Sequence, residues 1–383
     1  MTAPEVLPSG GPTQPLSACA EEPLRVGLLS LQQPRAGQGG RTHLDEIVLA
    51  LRRRGHAVAL IETPARSPSP MTAVALLGFQ LRSVLRLRRA DVLLLRFHPL
   101  ALPAVTVCRL LRRPVVVEVN GTHEDLVAIH PQLRPLLPVL RWLSRHVLRS
   151  ASELVAVSAP LADWIREFSG ERADVVANGA ATERFRPEAA WSGQALPPRF
   201  AVFIGSLAPW QGLQDLLTAI RHPAWPKGLE LVVAGDGPVQ EDVRRAADEG
   251  ELRYLGRIRY EEVPGLLAAA TVAVAPRGRG GWHASPLKVY EALASGTPVV
   301  ATAVTGQEEP VVRSGGGIVV PIGDPGLFAA AVAALANDPD RLAAAAQGAL
   351  SFARREGSWD RAAAELERSL YRAIRDEAGL RNE

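Results

Sequence analysis

Cys19 and Cys108 are the only cysteines in the chain. Two thiols exclude a disulfide framework and a cysteine-rich zinc site, and they fit a reducing compartment. Long apolar runs are missing too. The greasiest stretch, 92–111, is interrupted by Arg96, His98, Pro99 and Pro103, so it falls short of the roughly 18 uninterrupted apolar residues a membrane span needs. Residues 1–22 have neither a cationic start nor an apolar core, so they are not read as a secretory signal; 1–23 are expected to be a disordered tail. Charge of one sign is scarce: 43 Lys and Arg stand against 40 Asp and Glu, for a net charge of +3. That balance is too weak for a nucleic-acid binder, yet it suits an anionic ligand or a membrane surface. Lysine is almost absent. Lys227 and Lys288 are the only two, so arginine is the default cation and each lysine asks for a reason. What remains is ordinary globular composition, 47% hydrophobic and 22% charged. At 383 residues the chain exceeds what one hydrophobic core usually supports, so two domains are expected.

The pattern along the chain is strand, helix, strand, repeated. Short continuous apolar runs at 24–30, 57–61, 91–95, 114–119 and 153–158 are separated by helical periodicity. Leu44, Ile47, Val48 and Leu51, for instance, make one apolar face. Continuous strands spaced by helices indicate a parallel sheet covered on both sides. A proline-rich stretch, 186–198, reads as a linker. The rhythm then restarts with strands at 200–204, 229–234, 252–255, 272–275 and 298–301, and an amphipathic helix from about 359 to 375 closes the chain. The expectation is α/β: two doubly wound, Rossmann-like domains in tandem, over 24–190 and 191–357. The helix in 358–383 is expected to pack back on the first domain. A ligand cleft belongs where the carboxyl ends of the two sheets face each other.

Two segments carry the candidate chemistry. The loop 37–40, Gly-Gln-Gly-Gly, joins the first strand to a helix N-terminus. It suits either close backbone approach to a phosphate or sugar, or an ordinary tight turn. It does not complete a dinucleotide fingerprint. The second segment runs from Arg277 through a glycine-rich loop into a helix at Ser285-Pro286, read as a cap followed by proline at the first helical position. Lys288 then lies in the first turn, where its charge opposes the helix dipole. An anionic ligand at that end would explain it; a solvated surface lysine is the plainer alternative. Glu291 lies one turn beyond Leu287 and is expected to face the same cleft. His43, His56 and His98 are read as structural, and His130 and His146 show no metal-ligand pattern. Arg141, Arg145 and Arg149 form a basic stripe that suits anionic lipid head groups or simply a solvated face.

From 24 to 375 the chain resembles the GT-B glycosyltransferases of the large retaining family numbered four. The resemblance rests on Gly39-Gly40, Gly55-His56, Val155-Ala-Val-Ser158, Asn178-Gly179 and Arg184-Phe185-Arg-Pro187 in the first half. In the second half it rests on Phe203-Ile-Gly205, Ala234-Gly-Asp-Gly-Pro238, Tyr254-Leu-Gly-Arg257, Glu291 to Val300, 319–325 and Ser358-Trp359. It implies a nucleotide diphosphate sugar held mainly by the second domain, an acceptor held by the first, and neither cofactor nor metal. Gly39 and Gly40 would approach the diphosphate or the sugar, and Gly205 would belong to the donor loop. Ser285, Pro286 and Leu287 would offer backbone N–H groups, with Lys288 as the fixed cation. Glu291 would hold the ribose hydroxyls, and Arg257 and Ile258 would frame the base.

Three positions depart from the family pattern. His283 stands for the first glutamate of the family's pair, which contacts the sugar. Ser206 and Gln211 replace the usual diphosphate-clamping arginine and lysine, leaving Lys288, Arg277 and Arg279 to compensate. Asn120 stands for the histidine after the fourth strand, with His123 three residues on, and both are carried as catalytic candidates with Lys288. The expected function is sugar transfer to a polysaccharide, lipid-linked or small-molecule acceptor, in the cytoplasm or at the inner face of a membrane, without a nucleic-acid partner. A non-catalytic sugar-nucleotide-binding protein is the alternative. A phosphorylase is disfavoured because no lysine follows Lys288. The donor sugar, the base and the acceptor are left open.

Overall fold

The computed structural model describes residues 22–32, 39–63, 70–278, 286–304 and 306–382; Gly37, Arg279, His283 and Ser285 lie outside them. Two six-stranded sheets organise the chain. The first contains β1 (Arg25–Ser30), β2 (Ala57–Glu62), β3 (Val92–Arg96), β4 (Val115–Val119), β5 (Glu153–Ala156) and β6 (Asp174–Val175), in the order β2-β1-β3-β4-β5-β6. The second contains β7 (Phe200–Ile204), β8 (Glu230–Ala234), β9 (Arg253–Gly256), β10 (Val272–Ala275), β11 (Val299–Thr302) and β12 (Gly317–Val320), in the order β12-β11-β10-β7-β8-β9. Every pairing within them is parallel. Central strands such as β10 are buried along their whole length, which is why they read as unbroken apolar runs. The short β6 and the strand β12 were not expected from the sequence.

Helices cover both sheets. In the first half they are α1 (Gly39–Arg53), α2 (Pro70–Arg86), α3 (Leu102–Leu110), α4 (His123–Ile129), α5 (Leu137–Arg149) and α6 (Ala159–Ser169). In the second half they are α7 (Leu213–Ile220), α8 (Gln240–Asp248), α9 (Val263–Ala269), α10 (Leu287–Ala294), α11 (Glu308–Ser314), α12 (Pro325–Ala336), α13 (Pro339–Arg355) and α14 (Trp359–Asn382). The predicted apolar face of α1 is all buried. Helix α14 packs against α1 and the first sheet. His56 sits behind this contact, accepting from the Leu24 amide at 3.0 Å and lying 2.8 Å from Glu367 of α14, a structural role. His98 is structural too: its Nδ1 accepts from the Leu100 amide, capping a short 3₁₀ turn.

One hydrophobic cluster runs unbroken from α1 and β1, through α14, into the second domain at α9, α10 and α13. The outward faces of the two sheets have separate cores. Two sequence motifs find their cause at the crossing between domains. Trp359, 1% exposed, anchors the start of α14 in the shared core, where its large apolar surface contributes about 2–3 kcal/mol. Gly179 lies under it, and a Cβ there would come within 2.2 Å of the Ser358 backbone. The Asn178-Gly179 and Ser358-Trp359 motifs are therefore one contact.

In doubly wound sheets the crevice opens where the strand order reverses. Here that is between β1 and β3 in the first domain and between β7 and β10 in the second. Among the described residues no helix is long and apolar enough to cross a membrane.

Candidate active site

In the second domain the loops after β7 and β10 converge on the N-terminus of α10. Pro286 precedes the helix in an extended conformation, so helical geometry starts at Leu287 and not at the proline. Lys288 follows, and its Nζ donates to Gln211 Oε1 at 2.9 Å while lying 4.1 Å from the centre of the Phe203 ring. Gly205 makes room for it. Its φ of +141° suits glycine, and a Cβ there would stand 3.2 Å from the lysine nitrogen. Burial pushes the Lys288 amine down to about 7, with repulsion from Arg277 adding to it and Glu291 opposing. Arg277 is itself buried, which depresses it, and Asp125 at the start of α4 in the first domain partly restores it. Ser206 is exposed beside this group.

Glu291 lies one turn further along α10 and is 7% exposed. Burial pushes its carboxyl up to about 7, and Glu46 adds to this; Tyr260, Arg184 and Lys288 pull the other way. Its Oε1 accepts a hydrogen bond from the Tyr260 hydroxyl at 2.8 Å. The Tyr260 ring in turn carries the Arg184 guanidinium 5.5 Å from its centre, and Arg184 pairs with Glu46 of α1. A chain of polar contacts thus links Glu291 to the first domain. Arg257, exposed and 3.8 Å from Asp236, and Ile258, packed on the shared core, lie on the loop that ends β9.

In the first domain Gly39 and Gly40 open α1. A Cβ on Gly39 would meet the Leu287 side chain at 3.7 Å, so the N-termini of α1 and α10 face each other across the cleft. One turn into α1, His43 is buried between two partners: Nε2 lies 2.9 Å from Glu118 Oε1 and Nδ1 lies 2.8 Å from Asn178 Oδ1. Asn120 joins this group, donating to Glu118 Oε2 at 3.3 Å. Burial alone would raise the Glu118 carboxyl, but His43 and the nearby Arg96 guanidinium hold it below the usual carboxylate range. Arg96 also reaches the Gly40 carbonyl at 3.4 Å.

His123 is elsewhere. It has no exposed surface, and its ring packs on Phe168 at 4.8 Å and Trp164 at 5.5 Å, with Glu124 at ion-pair distance. The structure therefore gathers Gly205, Gln211, Leu287, Lys288 and Glu291 with Gly39, and it places Asn120 in the His43 cluster without His123. His43 is more than a packing residue, because it orients a buried carboxylate near the carboxyl end of β4. Its sequence signal was its position one turn after Gly39. Tyr260, Arg184 and Glu46 gave no such signal, because their partners are distant in the chain.

Two facing helix N-termini with a lysine and a buried arginine form a cradle for a polyanion. Among the described residues no group of His, Cys, Asp and Glu has the arrangement to hold a metal ion.

The comparisons with known proteins agree with this architecture. The family described as glycosyltransferase family 4 matches residues 37–184, and the family described as glycosyl transferases group 1 matches residues 198–338. A D-inositol 3-phosphate glycosyltransferase of Catenulispora acidiphila is 31% identical over 258 residues, covering 61% of this chain and 59% of the relative. The chain spans about three fifths of the length of the curated relatives it matches. Among solved structures, a sucrose-phosphate synthase from Thermosynechococcus elongatus superposes with a TM-score of 0.73 at 17% identity, covering 92% of this chain and 99% of that one. HepE of Anabaena in complex with UDP gives 0.68 at 17% identity, covering 91% and 100%. With each domain matched in turn and the whole architecture shared, the chain belongs to the group 1 glycosyltransferases of GT-B fold.

Proposed function

We propose that this chain transfers a sugar from a nucleotide diphosphate sugar to an acceptor held against the first domain. The observation that carries the reading is the placement of Lys288. It is one of two lysines in the chain, it stands at a helix N-terminus with Arg277 nearby, and its neighbour Leu287 faces Gly39 at the start of α1 across the cleft. That is where a leaving diphosphate would need positive charge. Cleavage of the bond between the sugar and the diphosphate oxygen puts negative charge on that oxygen. The α10 N-terminus, Lys288 and Arg277 would stabilise it. In this reading fixed cations do the work, and neither metal nor cofactor takes part.

Glu291 would take the ribose hydroxyls, displacing Tyr260. For retention of configuration, the departing phosphate oxygen would accept the acceptor's proton as the new bond forms on the same face of the sugar. Such a route needs no pair of catalytic carboxylates. The UDP in the Anabaena relative makes a uridine nucleotide the first donor class to test. The His43–Glu118–Asn120 cluster would orient acceptor hydroxyls from the first domain. Closure around both substrates would keep water from the activated sugar.

One observation favours a second reading, sugar-nucleotide binding without turnover. Neutral Gln211 is the partner of Lys288, and burial has weakened that lysine's charge. A thermal-shift series with UDP, GDP, ADP, dTDP and their sugar conjugates, each with magnesium and with EDTA, separates these outcomes. We expect a selective shift from one nucleotide that EDTA leaves in place, followed by slow release of free sugar from its conjugate. A shift without sugar release or transfer to any acceptor supports the second reading, and no shift with any nucleotide refutes both.

A further inference from the structure

Large hydrophobic side chains that stand exposed are not scattered evenly. Among the described residues, ten of the fourteen lie between 77 and 142, on elements around one face of the first sheet. Helix α2 presents Leu77, Leu81 and Leu85 at i, i+4 and i+8, the last 61% exposed. The end of α3 adds Leu110 and Leu111, and the approach to α5 adds Leu136, Val139 and Trp142. These belong to one surface. Gln80 of α2 donates to the Leu100 carbonyl and accepts from the Ala104 amide at the start of α3. Arg113, just past α3, donates to the Leu87 carbonyl at the end of α2. Helix α5 packs beside α3. Single exposed apolar residues are commonplace, but a concentration on neighbouring helices marks an interaction surface.

The charge of this region is as one-sided as its hydrophobicity. Residues 77–149 hold twelve arginines against four acidic residues, while the whole chain is only +3, so the remainder is net acidic. Asp91 pairs with Arg25, and Glu118 is bonded to His43 with the buried Arg96 beside it, which takes two of the four acids and one arginine out of the balance. Beside Leu85, Arg82, Arg86, Arg88 and Arg89 surround a shallow, open depression. The stripe that the sequence singles out is more committed. Arg145 and Arg149 donate to the carbonyls of Phe168 and Ser169 at 3.1 and 2.8 Å, so they bind α6, and the accessible basic surface lies two helices over.

We propose that the face formed by α2, the end of α3 and the start of α5 docks on an anionic lipid surface, with leucines in the acyl boundary and arginines on lipid phosphates. Leucines rimmed by arginine are the pattern of helices that lie in a membrane interface. An acidic protein partner fits less well, because protein hot spots favour aromatic anchors and leucine is under-represented among them. The docking does not depend on what the cleft catalyses.

Flotation of the full chain with vesicles of phosphatidylcholine, alone or with about one third phosphatidylglycerol, tests it. We expect binding to the anionic vesicles only, weakened by added salt. L81E/L85E should weaken it by roughly tenfold or more, and R86E/R88E by a similar factor, both with an unchanged thermal midpoint. Should the leucine variant fail to fold, the arginine variant decides. Failure to bind anionic vesicles, or binding that the folded variants leave untouched, overturns the proposal. Tight binding to polyglutamate with inert vesicles also overturns it and points to an acidic protein.

Discussion

Glu118 and Glu291 are both buried carboxylates near the mouth of the cleft, one in each domain, and their environments drive them in opposite directions. Glu118 has His43 and Arg96 beside it and is held ionised. Glu291 has a tyrosine hydroxyl as its hydrogen-bond partner, and burial pushes it up to about 7. Burial disfavours charge at both sites; only a neighbouring cation reverses the outcome. Glu118 is thus a fixed part of the scaffold. Glu291 can accept or give up a proton as a ligand replaces Tyr260.

The largest test of this contrast is His43→Ala, which removes the closest partner of the Glu118 charge. We expect a loss of about 3–5 kcal/mol in urea unfolding. Adding Glu118→Gln should recover most of it, and a loss under about 1 kcal/mol would break the comparison. Next is Lys288→Met, which should lower sugar release or transfer by roughly a hundredfold. Because the amine sits near 7 and a diphosphate restores its charge, nucleotide binding above about pH 7 should take up a proton. Calorimetry in buffers of different ionisation enthalpy should show that uptake in the native chain and its loss in the variant.

Glu291→Gln tests the other side. A raised carboxyl pKa means that the folded chain holds a proton which the unfolded chain has released. Stability therefore falls as pH rises from the ordinary carboxylate value towards about 7, and the amide escapes the loss. The variant should gain up to about 3 kcal/mol at pH 8 relative to its gain at pH 4; an equal gain at both would place an ionised Glu291 in the folded chain. The smallest effect is expected from Tyr260→Phe, which removes the hydroxyl that competes with ribose. Nucleotide affinity should change by about tenfold or less, read as a change in Kd with sugar turnover at saturating donor unaltered.

The two halves of the site were unequally legible. Lys288 and Glu291 stood out because they share one short helix, and because lysine is rare in this chain. Gly205 and Gln211 were marked only through the family resemblance. In the first half, Asn120 could be marked as a strand-end residue. The sequence reading carried His123 and set His43 aside as structural, because which histidine meets Glu118 depends on how α1 and α4 pack and not on spacing. His123 turned inward to Trp164 and Phe168, while His43 reached Glu118 and Asn178. The α10 cap was misread for a smaller reason: Pro286 is extended and the helix begins one residue later.

Local pattern by itself determined the number of domains, the parallel sheets and most strand positions. Most strands are short apolar runs, and most helices have a 3.6-residue face that survives in any packing. Strand order, the meeting of α1 and α10, and the contact of Gly179 with Ser358 were decided by tertiary structure. So were the protonation of Glu118 and Glu291 and the gathering of exposed leucines and arginines on one face. Each of these depends on residues far apart in the chain, and a pKa or a docking surface is a property of neighbours in space.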